Sequence, residues 1–174
     1  MIRETDQLVK GMSMERSPHS QREEDNEPLL GALLRMPYQA MMSDVVEPGL
    51  VEAGYADIRA AYFPAIQTLC RHPEGVRSTD LAARARITKQ SMGYLVDYLE
   101  ARGYAERVPD PSDGRARLIR LTPRGWEMAG AIRHLVTQAE ATWADRIGDE
   151  RVKDLRRLLR ELVAALGYEA PHRQ

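Results

Sequence analysis

Apolar side chains recur at helical spacing along most of this chain, and they predict two helices before residue 71. The first begins after Pro28, and Pro37 should kink or split it, because proline removes a helix hydrogen bond. The second covers residues 57–70, with Pro64 as a local irregularity. The apolar positions of the first helix are Leu29, Leu30, Leu33, Leu34, Met41, Met42, Val45 and Val46.

A helix-turn-helix is predicted next. Residues 72–75, His-Pro-Glu-Gly, have the composition of a turn, and Ser78 then stands where an N-cap would, before a helix of about two turns. After a short turn, Thr88 caps a second helix that runs to Arg102, and Gly103 follows as a C′ residue. Two short helices joined by a tight turn form this motif.

A β-hairpin is predicted directly after these helices. Residues 104–108 and 116–121 read as short strands, and the connection 109–115 contains two prolines and an Asp-Gly pair. The longer loop between them would protrude as a wing.

Two further helices are predicted at the C-terminal end. Thr122 and Pro123 provide an N-cap and a first-turn proline for a long helix, and a last helix follows Gly148. The apolar residues of the last helix lie at i, i+3, i+4, i+7 spacing and need a partner surface, either in the same subunit or in another. They are Val152, Leu155, Leu158, Leu159, Leu162, Val163 and Leu166.

Charge is distributed unevenly along a chain whose net charge is only −1. Residues 71–125 carry 11 basic and 7 acidic side chains, a net charge of +4, whereas residues 1–70 carry −5 and residues 126–174 are neutral. A local basic surface matters more for phosphate binding than the overall charge does. A solvated charged face remains the alternative interpretation.

Composition limits the classes of protein further. The single cysteine, Cys70, cannot form an internal disulfide, and the chain shows neither a secretory leader nor an apolar run long enough to span a bilayer. We therefore expect a cytoplasmic, nucleoid-associated protein without a membrane partner. Residues 1–26 are polar, lack apolar periodicity and are expected to be a disordered arm.

The helix after Thr88 has a polar face that suits the major groove of DNA. Gln side chains pair with adenine, Lys reaches guanine or phosphate, and Ser and Thr contact either. Gly93 lowers helix stability by roughly 1 kcal/mol relative to alanine, so a close DNA backbone or a neighbouring helix should require its small size. An ordinary amphipathic surface helix is the alternative. The groove-facing candidates are Thr88, Lys89, Gln90, Ser91 and Tyr94, with Ser78 at the start of the preceding helix.

The hairpin supplies further candidates for DNA contact. A protruding arginine can enter a narrow minor groove, whose negative potential attracts guanidinium groups. Arg115 lies in the predicted loop with Asp113, and Arg117 opens the return strand. Alternatively, Arg115 is a solvated charge or a partner of Asp113.

Three short elements then occur in order at fixed spacing. They are Leu-Glu-x-x-Gly-x-x-x-Arg at residues 99–107, Asp-x-x-Asp-x-Arg at 110–115 and Leu-Thr-x-x-Gly at 121–125. Over roughly residues 78–126 the chain closely resembles the signature of the MarR family of winged helix-turn-helix transcriptional regulators, and its helical flanks match loosely. One departure is Gly114, which stands where the family often has a second basic residue.

The resemblance implies a mainly α fold with a small β-hairpin wing and an obligate homodimer on double-stranded DNA. It implies an N-terminal dimerisation region at 27–56, a winged DNA-binding domain at 57–125, C-terminal dimerisation helices at 126–167 and a tail at 168–174. The interface would join residues 28–50 with 126–167. Arg115 would be the wing arginine, and Arg107 would support the wing or touch phosphate. Two recognition helices predict a pseudo-palindromic operator, most simply bound by a repressor.

Regulation is less well defined by the residues. Members of the family often respond to small phenolic ligands or to oxidation, and such an aromatic effector would lie between the early helices and the DNA-binding domain. Met and aromatic residues at helical spacing are more often core. Cys70, beside Arg71 and His72, is a candidate redox sensor, because those cations could lower the pKa of its thiol if it is exposed. The candidate pocket residues are Tyr38, Met41, Met42, Tyr62 and Phe63.

Catalytic patterns are not found in the sequence, so we expect neither an enzyme nor a bound cofactor. The four histidines are scattered, and no His-Glu-x-x-His, Cys-x-x-Cys or glycine-rich phosphate loop occurs. The alternative function is a dimeric winged-helix module that binds another protein or only RNA. Such a module would not need the polar, basic face formed by Lys89, Gln90, Arg115 and Arg117.

Overall fold

The computed structural model describes residues 27–167 of the chain. The predicted disordered arm, residues 1–26, and the predicted tail, residues 168–174, lie outside this range. The chain divides into two units, Met1–Tyr38 and Gln39–Gln174. Apolar side chains of the described part of the first unit are exposed: Leu29, Leu30, Leu33, Leu34 and Met36.

The N-terminal helical segment differs from the expected split at Pro37. Helix α1, Leu30–Met41, contains Pro37, and the regular α pattern gives way only at a π-helical stretch, Met42–Val46, before helix α2, Glu47–Glu52. The prediction of a split at Pro37 is therefore wrong. Leu33, whose carbonyl loses its partner N–H to the proline ring, is exposed, so water can satisfy that carbonyl.

The second predicted helix begins later than its apolar pattern indicated. A 3₁₀ turn, Ala60–Tyr62, precedes helix α3, Phe63–Arg71, so the expected start at residue 57 is wrong. Pro64 lies in the first turn of α3, where its missing N–H would have no helical partner anyway. Asp57 instead binds two tyrosines: its carbonyl accepts from the Tyr98 hydroxyl at 2.7 Å and its carboxylate from that of Tyr104 at 3.0 Å.

The helix-turn-helix and a small antiparallel sheet form the central part of the fold. Strand β1 is Val76–Arg77, helix α4 is Ser78–Ala85 and helix α5 is Lys89–Ala101, followed by strands β2, Ala105–Asp110, and β3, Asp113–Leu121. The strand order is β1-β3-β2, with Val76 opposite Ile119 and Ala105 opposite Leu121. Strand β1 was not predicted, because two residues are too few to show an alternating pattern.

The hairpin is tighter than the sequence indicated. The predicted loop over residues 109–115 is wrong in length, because both strands extend into it and only Pro111 and Ser112 connect them. The register shifts between Pro109 and Asp110. Arg115 therefore lies on strand β3 near the turn rather than in a loop.

The long C-terminal helices begin and end as predicted. Thr122 accepts a hydrogen bond from the Gly125 N–H at 3.0 Å and caps helix α6, Pro123–Ile147, while Gly148 at φ 92° separates it from helix α7, Asp149–Ala165. Gly125 must be glycine because a Cβ there would overlap the carbonyl oxygen of Tyr104.

A single core joins the helices and the sheet between residues 42 and 129. Its fully buried side chains include Leu69 of α3, Leu81 of α4, Val96 of α5, Ile119 of β3 and Met128 of α6. Helix α7 contributes one buried residue, Val152; Leu159 is half-buried, and Leu155, Leu158 and Leu162 are exposed. The helix-turn-helix and the wing are thus held by packing, while α7 presents an uncovered apolar stripe.

Candidate nucleic-acid interface

The start of helix α5 is fixed by the turn before it. Arg86 adopts a left-handed conformation at φ 52° and ends α4, so the chain reverses within three residues. Thr88 then caps α5, as predicted, because its Oγ1 accepts from the Ser91 N–H at 3.1 Å. The Thr88 hydroxyl also donates to the Ser91 hydroxyl at 2.8 Å. Both side chains therefore hold the exposed N-terminus of α5, where base edges or phosphates would lie.

Helix α5 buries one face and exposes the other. Met92, Val96 and Leu99 are fully buried, which anchors the helix on the core. Lys89 and Gln90 are exposed, and neither side chain has a hydrogen bond or ion pair to residues 27–167. Tyr94 is 67% exposed. The predicted groove-facing residues of α5 and its N-cap are thus all exposed to solvent.

Ser78 does not cap helix α4. The structure makes it the first helical residue, the N-cap position belongs to Arg77, and no side chain caps this helix. The N-cap prediction for Ser78 is wrong because strand β1 runs directly into α4. Its DNA contact stays a prediction.

Arg107 joins the wing to helix α5. Its guanidinium lies 2.6 Å from an Asp97 carboxylate oxygen and also binds Glu100, and the hydrogen bond with Asp97 raises the pKa of Arg107 above its ordinary value. Of the two roles predicted for Arg107, support of the wing is the one these contacts favour. The same contacts neutralise two carboxylates on the helix that would face phosphate.

The turn of the wing is held by an ion pair around Asp110. This carboxylate is 6% exposed, and it accepts from the Ser112 N–H at 2.8 Å, from the Ser112 hydroxyl at 2.6 Å and from Arg77 Nε at 2.7 Å. The two Ser112 hydrogen bonds and then Arg77 lower the pKa of Asp110 from its ordinary value of 3.8 to about 2. Asp110 is therefore charged at neutral pH and ties the turn to strand β1.

Asp113, a predicted DNA-contact residue, also has a local role. Its carboxylate accepts from the Arg115 N–H at 3.1 Å and lies 3.6 Å from Arg77 Nη2. A carboxylate close to phosphate is electrostatically unfavourable. The contacts of Asp113 with Arg115 and Arg77 stabilise the turn that precedes Arg115. Its place in a DNA interface stays a prediction.

The cations of strand β3 fall into two groups. Arg120 is paired with Glu106 at 2.8 Å. Arg115 and Arg117 are exposed, and within residues 27–167 neither guanidinium has an ion pair or side-chain hydrogen bond. Arg117 and the buried Ile119 are two residues apart on strand β3, so the side chains of Arg117 and Ile119 lie on the same face of the sheet. The hairpin tip is thus a source of uncompensated positive charge.

Two contacts that order this surface were not found from the sequence. The Arg77–Asp110 pair spans 33 residues, and nothing local to either residue indicates the other. Asp97 and Glu100 were not predicted as site residues, although acidic side chains at 97 and 100 followed by Arg107 could have indicated this clamp. The Asp-x-x-Asp spacing was noted as a motif without its turn-forming role.

The candidate effector-pocket residues have different surroundings, each within its own unit. Met42 and Phe63 are 6% and 7% exposed and belong to the core, and Met41 packs against it. Tyr62 stacks on Tyr98 with ring centroids 4.4 Å apart. Tyr38 is 47% exposed and lies in the first unit. An aromatic effector at these residues stays a prediction.

Cys70 does not have the environment expected of a reactive thiol. It is half-buried, and burial raises the pKa of its thiol above the ordinary value, against the lowering influence of Arg133 and Arg71. His72, expected to lower it, instead lies 3.1 Å from Glu74. The expected direction of the pKa shift is therefore wrong, because the thiol lies beside the core.

Between residues 27 and 167 no group of three or more histidine, cysteine or acidic side chains could hold a metal ion. None of the helices in this range is long and apolar enough to cross a membrane.

Comparison with known proteins agrees with this geometry. A family model described as MarR family matches residues 50–116. The HTH-type transcriptional repressor Rv2887 of Mycobacterium tuberculosis is 30% identical over 100 residues, which are 58% of this chain and 71% of that protein.

Solved structures share the fold over most of the chain. CouR from Rhodococcus jostii, bound to p-coumaroyl-CoA, is 29% identical with a TM-score of 0.60, over 76% of this chain and 90% of CouR. A mutant of MarR from E. coli complexed with operator DNA is 23% identical with a TM-score of 0.62, over 77% of this chain and 93% of that one.

Proposed function

The chain belongs to the MarR family of helix-turn-helix transcriptional regulators, which are not enzymes, and we propose that it is a repressor that binds a pseudo-palindromic operator as a homodimer. Helix α5 would enter the major groove and the wing arginine the adjacent minor groove. The name of the M. tuberculosis relative, a repressor, supports the sign of regulation.

The observation that carries this proposal is the pairing state of the cations. Arg77, Arg107 and Arg120 each bind a carboxylate, whereas Lys89, Arg115 and Arg117 are exposed without one among residues 27–167. The paired cations shape the wing, and the unpaired ones remain available to phosphate. A module that binds only protein has no need of this second set.

A second observation supports the homodimer. Helix α7 and its C-cap residue expose four leucines on one face, at positions spaced by three, four and four residues. Apolar side chains at this spacing form a stripe that a second copy can cover. Two recognition helices held by such an interface would read two half-sites about one helical turn apart. The exposed leucines are Leu155, Leu158, Leu162 and Leu166.

The test is fluorescence anisotropy of the purified protein with DNA from upstream of its own gene, against scrambled DNA, across a salt series. We expect preference for the upstream DNA and a steep salt slope. Arg115→Ala should weaken binding by about tenfold and reduce the slope by roughly 1, as expected for one lost phosphate contact.

Arg120→Ala is the matched control. It removes the same charge from the same strand, but its guanidinium is already paired with Glu106, so binding should change by less than about threefold. Equal and weak binding of the wild type to both DNAs would contradict the proposal and favour the interaction module.

A further inference from the structure

One face of helix α5 runs beneath the wing. Lys89, Gly93, Asp97 and Glu100 are spaced by four, four and three residues, so they form a single stripe. Arg107 of strand β2 covers the C-terminal half of this stripe by binding Asp97 and Glu100. The N-terminal half remains open: Lys89 is exposed and Gly93 is half-exposed.

Gly93 is not explained by packing within the described part of the chain. A Cβ built on it would meet nothing within 4 Å, whereas one on Gly49 or Gly125 would overlap Leu135 or the Tyr104 carbonyl. Glycine is also among the least favourable residues for a helix interior. The sequence offered two explanations for the small size of Gly93, a close DNA backbone or a neighbouring helix. Within residues 27–167 no helix lies close enough to Gly93 to require it.

The placement of the stripe indicates what approaches Gly93. A protein with one helix in the major groove and an arginine wing in the adjacent minor groove must straddle the sugar-phosphate strand between those grooves. The surface between α5 and the wing faces that strand. We infer that Gly93 provides clearance for the DNA sugar-phosphate backbone, with Lys89 one turn away to neutralise a phosphate; this inference rests on the proposed function.

This role gives Gly93 opposite effects on folding and binding. Alanine at this position suits the helix better and meets open space in the free protein, so it should stabilise the fold. On DNA, the added methyl group would push the backbone away from the helix. Because every sequence has the same backbone, affinity should fall equally for upstream and scrambled DNA.

The experiment compares Gly93→Ala with Gly130→Ala. Gly130 is exposed in the interior of α6, and a Cβ there also meets nothing within 4 Å. Because residue 130 lies in the predicted dimer interface, sedimentation velocity must first show that Gly130→Ala is as dimeric as the wild type. Both variants should raise the midpoint of thermal unfolding by about 2–4 °C. Only Gly93→Ala should weaken binding, by about tenfold on both DNAs, and Gly93→Leu should weaken it further.

The outcomes separate this inference from the proposal on which it rests. If the wild type prefers its upstream DNA and Gly93→Ala binds within twofold of it, the clearance role is overturned and the proposed function stands. A loss confined to upstream DNA would place Gly93 against a base edge and would also overturn it. A wild type without preference would overturn the proposed function and this inference together.

Discussion

The hairpin and helix α7 expose opposite kinds of side chain. On the hairpin, the apolar residues Ile119 and Leu121 are buried, and the exposed Arg115 and Arg117 have no carboxylate partner within residues 27–167. On α7, three cations each bind a carboxylate, and four leucines of the helix and its C-cap lie 38–58% exposed. One surface lacks counter-charge and the other lacks apolar cover. The paired cations of α7 are Lys153, Arg156 and Arg157.

The difference indicates two partners of different chemistry. Three of the five cations of α7 already have carboxylate partners, and exposed ion pairs contribute little to stability. We therefore expect the exposed leucines to contribute most to binding at this surface. Covering four half-exposed leucines contributes about 1 kcal/mol for each. Unpaired arginines on a narrow hairpin gain instead from a polyanion. We therefore expect a second copy of the chain on α7 and DNA on the hairpin.

The largest expected effect comes from placing a charge in the apolar stripe of α7. Leu158 is 53% exposed in the single chain, and in the proposed dimer Leu158→Glu would bury a carboxylate without a partner. We expect a monomer in sedimentation velocity at micromolar concentration. Affinity for the upstream DNA should fall by about 100-fold or more, because a monomer binds one half-site and loses the binding free energy of the second.

Arg160→Gln provides the control for that experiment. It changes the net charge by the same amount on the opposite side of α7, where its side chain is exposed. The dimer should persist, with affinity within about threefold of the wild type. A monomeric wild type, or a dimer that survives Leu158→Glu, would show that α7 does not form the interface.

A smaller effect is expected when a paired cation of the hairpin region is removed. Arg107→Gln frees Asp97 and Glu100 on the helix that we propose faces DNA, where their charges would repel phosphate. We expect about a tenfold loss of affinity for upstream and scrambled DNA alike, measured by anisotropy at about 0.1 M salt, where screening is moderate.

Neutralising Asp97 and Glu100 as well distinguishes two effects of Arg107→Gln: repulsion between these carboxylates and phosphate, and a change in the position of the wing. Adding Asp97→Asn and Glu100→Gln to Arg107→Gln should restore affinity to within about threefold of the wild type. A triple variant as weak as the single one would show that Arg107 acts by positioning the wing and that its neutralising role is minor.

The sequence predicts this fold well wherever contacts are local. The Thr88 and Thr122 caps, the ends at Gly103 and Gly148 and the buried face of the recognition helix depend on neighbours within a few residues, and the structure confirms them. Each of these predictions depends on one residue type at a fixed position relative to one turn of helix, so the local sequence is enough to make it.

The candidate site could be predicted only in part. Lys89, Arg115 and Arg117 can be chosen as cations, but which arginines are already paired depends on residues brought together by folding. The predicted start of the second helix at residue 57 and the predicted length of the hairpin loop are wrong for a related reason. In both cases tertiary packing decides where the element begins or ends. Arg77, which orders the wing from 33 residues away, has no signature in the sequence.

The smallest expected effect concerns the ion pair between Arg77 and Asp110. Asp110→Asn keeps the shape of the side chain and removes its charge, so the turn loosens and affinity for DNA should fall by about threefold. Asp113→Asn, whose carboxylate lies 3.6 Å from Arg77 and is 46% exposed, is the control and should change affinity less.

The pH dependence of folding tests the same contact independently. Because the folded pKa of Asp110 is about 2, below its ordinary value of 3.8, its stabilisation is fully present above the ordinary value and is lost as pH falls toward 2. The difference in urea midpoint between the wild type and Asp110→Asn should therefore be constant from pH 5 to 8 and shrink below pH 4. A difference that varied between pH 5 and 8 would assign the effect to another titrating group and would leave the hairpin without the charged anchor that distinguishes it from α7.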